Sequence, residues 1–164
     1  MRFYTNDECE AWLSGRQRSK PEAAPGCLRL RKPYPREPYR MFYFAHWIAT
    51  ELACRQPALL CITEWGIWPS FENWHLYYRL RQSHGDRHLL HERPGHLFLE
   101  YEAEDLASFL QVSMLNGWGG YVLTHINYAN VFFSHDEYLD FYADRQEMID
   151  RIRKELGGDK ESTK

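Results

Sequence analysis

The chain has 164 residues, 44% hydrophobic and 26% charged, a balance that fits one globular domain with a buried core and excludes a disordered chain. Aromatic residues make up 16%, with six Trp, eleven Tyr and nine Phe, so a rigid aromatic core or a sticky surface is expected. The net charge of −3 divides unevenly, with +4 on residues 1–58 and −7 on residues 59–164. That argues against a general nucleic-acid binder and leaves room for a basic protein partner on the acidic half.

No apolar run reaches the roughly 18 residues that a membrane span needs. The start, Met1-Arg2-Phe3-Tyr4-Thr5-Asn6-Asp7-Glu8, is too polar for a signal peptide. A cytoplasmic setting is the expectation. The four cysteines, Cys9, Cys27, Cys54 and Cys61, include no Cys-x-x-Cys pair, so reduced, mostly buried thiols are expected and neither a zinc knuckle nor a thioredoxin-like site; no cofactor is expected.

Residues 5–14 read as a short helix, with Thr5 and Glu8 at capping-box spacing and Gly15 as a stop. Residues 16–40 hold five prolines among arginines and lysines and read as an extended arm. Tyr34 and Tyr39 within it could reach a second chain. Residues 39–56 predict a helix apolar on more than one side, stopped before Pro57, and residues 58–65 have the length of a buried strand. A second long helix is expected from Ser70 to near Gly85. Residues 87–92 and 96–101 suggest a hairpin around Pro94-Gly95. A helix from Glu104 stops at Asn116-Gly117, and 121–125 and 130–133 read as strands. Ser134 with Glu137 three residues on predicts the cap of a long last helix.

The expected fold is therefore α+β, a mainly antiparallel sheet of short strands packed with about four helices in a single domain. The expected layout is 1–40 as short helix and arm, 41–156 as the globular body and 157–164 as a disordered tail.

Three constellations carry the functional candidates. Trp65, Trp68, Glu72 and His75, with Arg79 one turn on, sit where a strand hands over to a helix start. Such a junction can bind an anion or present rings to a ligand; the plain alternative is core packing. His91 and His96 would share a hairpin face and are the candidate metal ligands, against the simpler reading as hydrogen-bonded histidines. Asp136, Asp140, Asp144 and Glu147 follow one another at helical spacing and would give the last helix an acidic face for a basic partner. Gly-x-Ser-x-Gly and the phosphate-binding glycine motifs are absent, and Ser134-His135-Asp136 are consecutive, so they cannot form a triad among themselves.

Trp65-Gly66-Ile67-Trp68-Pro69-Ser70 with Glu72-Asn73-Trp74-His75-Leu76-Tyr77-Tyr78-Arg79-Leu80, then Pro94-Gly95-His96-Leu97-Phe98-Leu99, then Phe132-Phe133-Ser134-His135-Asp136-Glu137, resemble a group of small bacterial proteins without an assigned activity. The resemblance spans residues 60–142, implies a bacterial, intracellular setting and carries over no catalytic residue. The leading expectation is a non-catalytic protein-binding module, an immunity- or antitoxin-like inhibitor or an accessory subunit of a bacterial toxin or defence system. A ligand or enzyme site at the tryptophan turn is the alternative, and a metal-dependent hydrolase built on the histidines a further one.

Overall fold

Among the described residues, seven strands, every neighbouring pair antiparallel, form one sheet that holds most of the apolar side chains on one face. The computed structural model describes residues 1–15, 26–53, 56–66, 74–124 and 129–157. In chain order the elements are β1 (Arg2–Tyr4), α1 (Asn6–Ser14), β2 (Leu28–Pro33), α2 (Pro38–Trp47), a π-helical turn (Ile48–Ala53), β3 (Ala58–Glu64), α3 (Trp74–Ser83), β4 (Gly95–Phe98), α4 (Ala103–Leu115), β5 (Gly119–Thr124), β6 (Asn130–Ser134), β7 (Tyr138–Ala143) and α5 (Gln146–Glu155). The strand order is β1-β4-β3-β5-β6-β7-β2. This is the α+β architecture expected of the sequence. No described helix is long and apolar enough to cross a membrane.

The large core lies between the sheet and α2, α3, α4 and α5, where Trp47, Tyr77, Phe98, Phe109, Trp118, Phe133 and Phe141 are buried. A smaller cluster on the other face joins Cys9 of α1 to Leu59, Leu97, Tyr121 and Leu123. The two faces follow from strand alternation, with Ala58, Leu60 and Ile62 of β3 in one cluster and Leu59 and Cys61 in the other. Gly95 makes the close approach of α1 and β1 possible. A Cβ there would run into the Cys9 Sγ and come within 2.9 Å of the Tyr4 Cβ. The capping box of α1 forms as expected, with the Thr5 side chain accepting from Glu8 N and the Glu8 carboxylate from Thr5 N.

Three expectations are corrected. The long last helix does not begin at Ser134. That residue ends β6, a turn follows, and Tyr138–Ala143 is strand β7, with the helix starting only at Gln146. Leu139, Phe141 and Ala143 alternate into the core, which a strand satisfies and a helix does not. Part of the expected arm is strand β2, laid along β7 from Leu28↔Ala143 to Pro33↔Tyr138. Its proline is tolerated because it ends an edge strand. Residues 87–92 form no strand. The Asp86 carboxylate accepts from His88 N and Glu92 from Leu89 N, while Glu92 N and Arg93 N bond Leu89 O, so local turns satisfy that backbone. β4 pairs with β1 and β3 instead.

Candidate functional site

The sequence-derived acidic face is dispersed. Asp140 is 1% exposed in β7 beneath the arginines of β2. Arg29 Nη2 donates to it at 2.6 Å, and Arg31 donates through Nε at 2.9 Å and Nη2 at 2.8 Å. Burial alone would raise its pKa, but these arginine bonds outweigh that and hold the carboxyl below its usual range. Arg31 also lies 3.6 Å from the centre of the Tyr138 ring. Asp140 is thus the counter-ion of β2. Asp136 lies in the β6–β7 turn, Asp144 follows β7 and Glu147 is in the first turn of α5, all three exposed.

At the tryptophan turn, Trp65 is half-buried against the main core, while His75 and Arg79 are exposed on α3. Trp74 stands edge-on to Trp118, centroids 5.5 Å apart. Trp68 and Glu72, with the expected helix start at Ser70, lie outside the described residues. Of the histidines, His91 is exposed in a turn and His96 is wholly buried in β4. The Pro94 carbonyl, 3.1 Å from His96 Nδ1, can only accept, so Nδ1 carries the proton and Nε2 accepts from the Tyr77 hydroxyl at 2.7 Å. Among the described residues no three His, Cys, Asp or Glu converge in a way that could hold a metal ion. Burial lowers the His96 pKa to about 3, and Arg81 adds to the effect.

Arg81 is itself fully buried, facing the Phe3 ring at 4.8 Å and donating through Nε and Nη2 to Asp86. This pair closes the end of α3 and serves the core.

The β6–β7 turn presents two features that the sequence did not disclose. A bulge between Ile62 and Glu64 in the β3–β5 pairing re-aims Glu64, and its carboxylate reaches His135 Nδ1 at 2.6 Å. His135 Nε2 faces Asp136 at 3.4 Å. The histidine thus sits between two carboxylates, and the neighbouring Ser134 hydroxyl is buried and accepts from Asp136 N. Among the described residues no hydroxyl or thiol bonds His135, and its contacts there are the two carboxylates.

On the other side of the turn lies a cleft of about 450 Å³, walled by Tyr34, Pro35 and Arg36, by Met41 of α2, by the end of α4 from Met114 to Gly117, and by Glu137. Glu137 is held at φ 62°, the only non-glycine residue with positive φ among those described. Its N–H donates to Ser134 O, and its carbonyl accepts from Tyr34 N at 2.8 Å. A left-handed glutamate costs on the order of 1 kcal/mol against glycine. The Tyr34 hydroxyl is buried without a partner among the described residues, and burial, with the Glu137 carboxylate and Tyr138 nearby, pushes its pKa up.

The outer side of α2 bears the third feature. Tyr39, Phe42 and Tyr43 stand 71%, 49% and 43% exposed, while Phe44, Ala45 and Trp47 of the same helix are buried. Phe42 stacks on His46, whose Nδ1 lies 3.5 Å from the exposed Glu104 carboxylate of α4. Leu115, which lines the cleft with Met41, is 47% exposed.

No family model, curated protein or solved structure matches the chain.

Proposed function

We propose that the protein is a non-catalytic protein-binding module that docks a partner on the outer face of α2. The observation that carries this reading is the exposed run Tyr39, Phe42 and Tyr43, spaced as one stripe on a helix whose opposite side is already in the core. A helix apolar on both sides suits cover on both sides, and aromatic residues are the commonest anchors of interfaces. Single exposed apolar residues are ordinary, but three aromatics on one stripe are not. Glu37 and Glu104 lie near the stripe but are balanced by Arg36 and Arg40, so the preference for a basic partner rests on the exposed Asp136, Asp144 and Glu147.

In its narrower form the reading is an immunity- or antitoxin-like inhibitor, or an accessory subunit, of a bacterial toxin or defence system. Asp136, Asp144 and Glu147 remain exposed and available for steering, whereas Asp140 is committed to Arg29 and Arg31. The test is affinity capture from the native host followed by mass spectrometry, with three baits. They are the intact chain, a Tyr39→Ser/Phe42→Ser/Tyr43→Ser variant, and an Asp136→Lys/Asp144→Lys/Glu147→Lys variant. The reading predicts one stoichiometric partner, lost with the aromatic variant and captured more slowly by the charge variant. Retention by the aromatic variant sinks the α2 face. A stoichiometric second copy of this chain as the sole partner would reassign that face to self-association.

A further inference from the structure

The cleft beside the β6–β7 turn poses a separate question, because its wall carries one full charge of each sign. Arg36 and Glu137 both line it, and neither side chain has an ion pair or hydrogen bond among the described residues. The end of α4, from Met114 to Gly117, forms another wall. A helix C-terminus carries partial negative charge and favours a cation. Met41, Met114 and Pro35 supply an apolar side, and thioether chains adapt to ligand shape.

Each simpler ligand leaves something unmatched. A plain anion would meet the Glu137 carboxylate, and a plain cation the Arg36 guanidinium. A neutral apolar molecule would strip water from both charges without replacing it. The turn points the same way. Glycine or asparagine suits the left-handed position of a three-residue hairpin loop, yet Glu137 holds it and lines the cleft. Its carbonyl is tied to Tyr34 N, so the same backbone contact that fixes the turn also fixes Tyr34 on the cleft wall.

We propose that this cleft binds a small zwitterion of amino-acid type, its ammonium held by Glu137 and the end of α4, its carboxylate by Arg36, and its apolar side chain against Met41, Met114 and Pro35. A volume of about 450 Å³ lies within the usual range for small-molecule sites. The site does not depend on the α2 aromatic face and stands or falls separately from a protein partner.

The experiment is calorimetric titration of the full chain at low salt with leucine, methionine, lysine and glycyl-leucine. Isoamylamine and isocaproate serve as half-ligand controls. At least one zwitterion should bind saturably, and each half-ligand should bind at least about tenfold more weakly. Glu137→Gln and Arg36→Gln should each weaken the zwitterion about 10- to 100-fold, the loss of one charge-assisted contact. Glu137→Gly separates folding from binding, since it should raise the melting temperature while weakening the zwitterion at least as much as Glu137→Gln does. No heat or competition from any zwitterion at about 10 mM, a weak limit for small ligands, overturns the proposal. So does equal binding by both charge variants, or a lower melting temperature for Glu137→Gly.

Discussion

His96 makes the stability of this fold depend on pH in a predictable way. Its ring is enclosed by Tyr77 of α3, Phe109 of α4 and Phe3 of β1, with a bond to the Pro94 carbonyl, and Arg81 and Asp86 add opposite charges nearby. The folded pKa is lowered from 6.5 to about 3, chiefly by burial. The unfolded chain therefore binds one more proton than the folded chain between those values. The stability from this histidine is complete above pH 6.5 and declines as the pH falls, by about 1.4 kcal/mol per unit. Between pH 7 and pH 5 the loss comes to about 2 kcal/mol. Urea unfolding at both pH values, for the wild type and for His96→Gln, isolates this residue because the other titrating groups cancel in the difference. The wild type should lose about 2 kcal/mol more than the variant. Parallel curves would refute the reasoning. Long-range ¹⁵N correlation at pH 7 should show an Nδ1-protonated neutral ring, and an imidazolium there would refute it independently of stability.

The carboxylates act in another window. Asp86 and Asp140 have folded pKa values below the ordinary 3.8, so their contribution is present above that value and is lost as the pH falls through the folded values. Asp86→Asn leaves the Arg81 charge buried and should cost about 3–5 kcal/mol, read as a shifted urea midpoint; a cost under about 1 kcal/mol would show that water reaches the pair. Asp140→Asn, whose partners Arg29 and Arg31 are each 50% exposed, should cost less, about 1–3 kcal/mol. It should also raise hydrogen exchange along β2. Gly95→Ala should destabilise by about 1–3 kcal/mol through overpacking against Cys9 and Tyr4, and calorimetry would register the drop; an unchanged melting temperature would mean that α1 lifts away freely.

Much of this fold was legible in the sequence because its signals are local. The Thr5–Glu8 box, the stop of α4 at Asn116-Gly117 and the apolar run of β3 each act within a few residues. Besides β1 and the turns at 87–92, what was missed lies on β2 and β7, the paired strands at one end of the sheet. Leu28-Arg29-Leu30-Arg31 alternates strictly, but surrounding prolines and basic residues disguised it, and the carboxylate that neutralises those arginines lies over a hundred residues away. Tyr138, Phe141 and Tyr142 fit helical spacing as well as Leu139, Phe141 and Ala143 fit strand spacing, and Ser134 with Glu137 copied a capping box. Only burial against the sheet decides between them. The cleft was not legible for the same reason, since Arg36, Met114 and Glu137 meet only once β2, α4 and the β6–β7 turn are in place.

The most direct test of the central claim is a calorimetric titration of the captured partner, purified, against the wild type and the Tyr39→Ser/Phe42→Ser/Tyr43→Ser variant, with thermal melts confirming that both are folded. Loss of three aromatic anchors should weaken binding at least about 100-fold without lowering the melting temperature. Affinities within about threefold of each other, a difference below 1 kcal/mol, would contradict the assignment of α2 as the docking face.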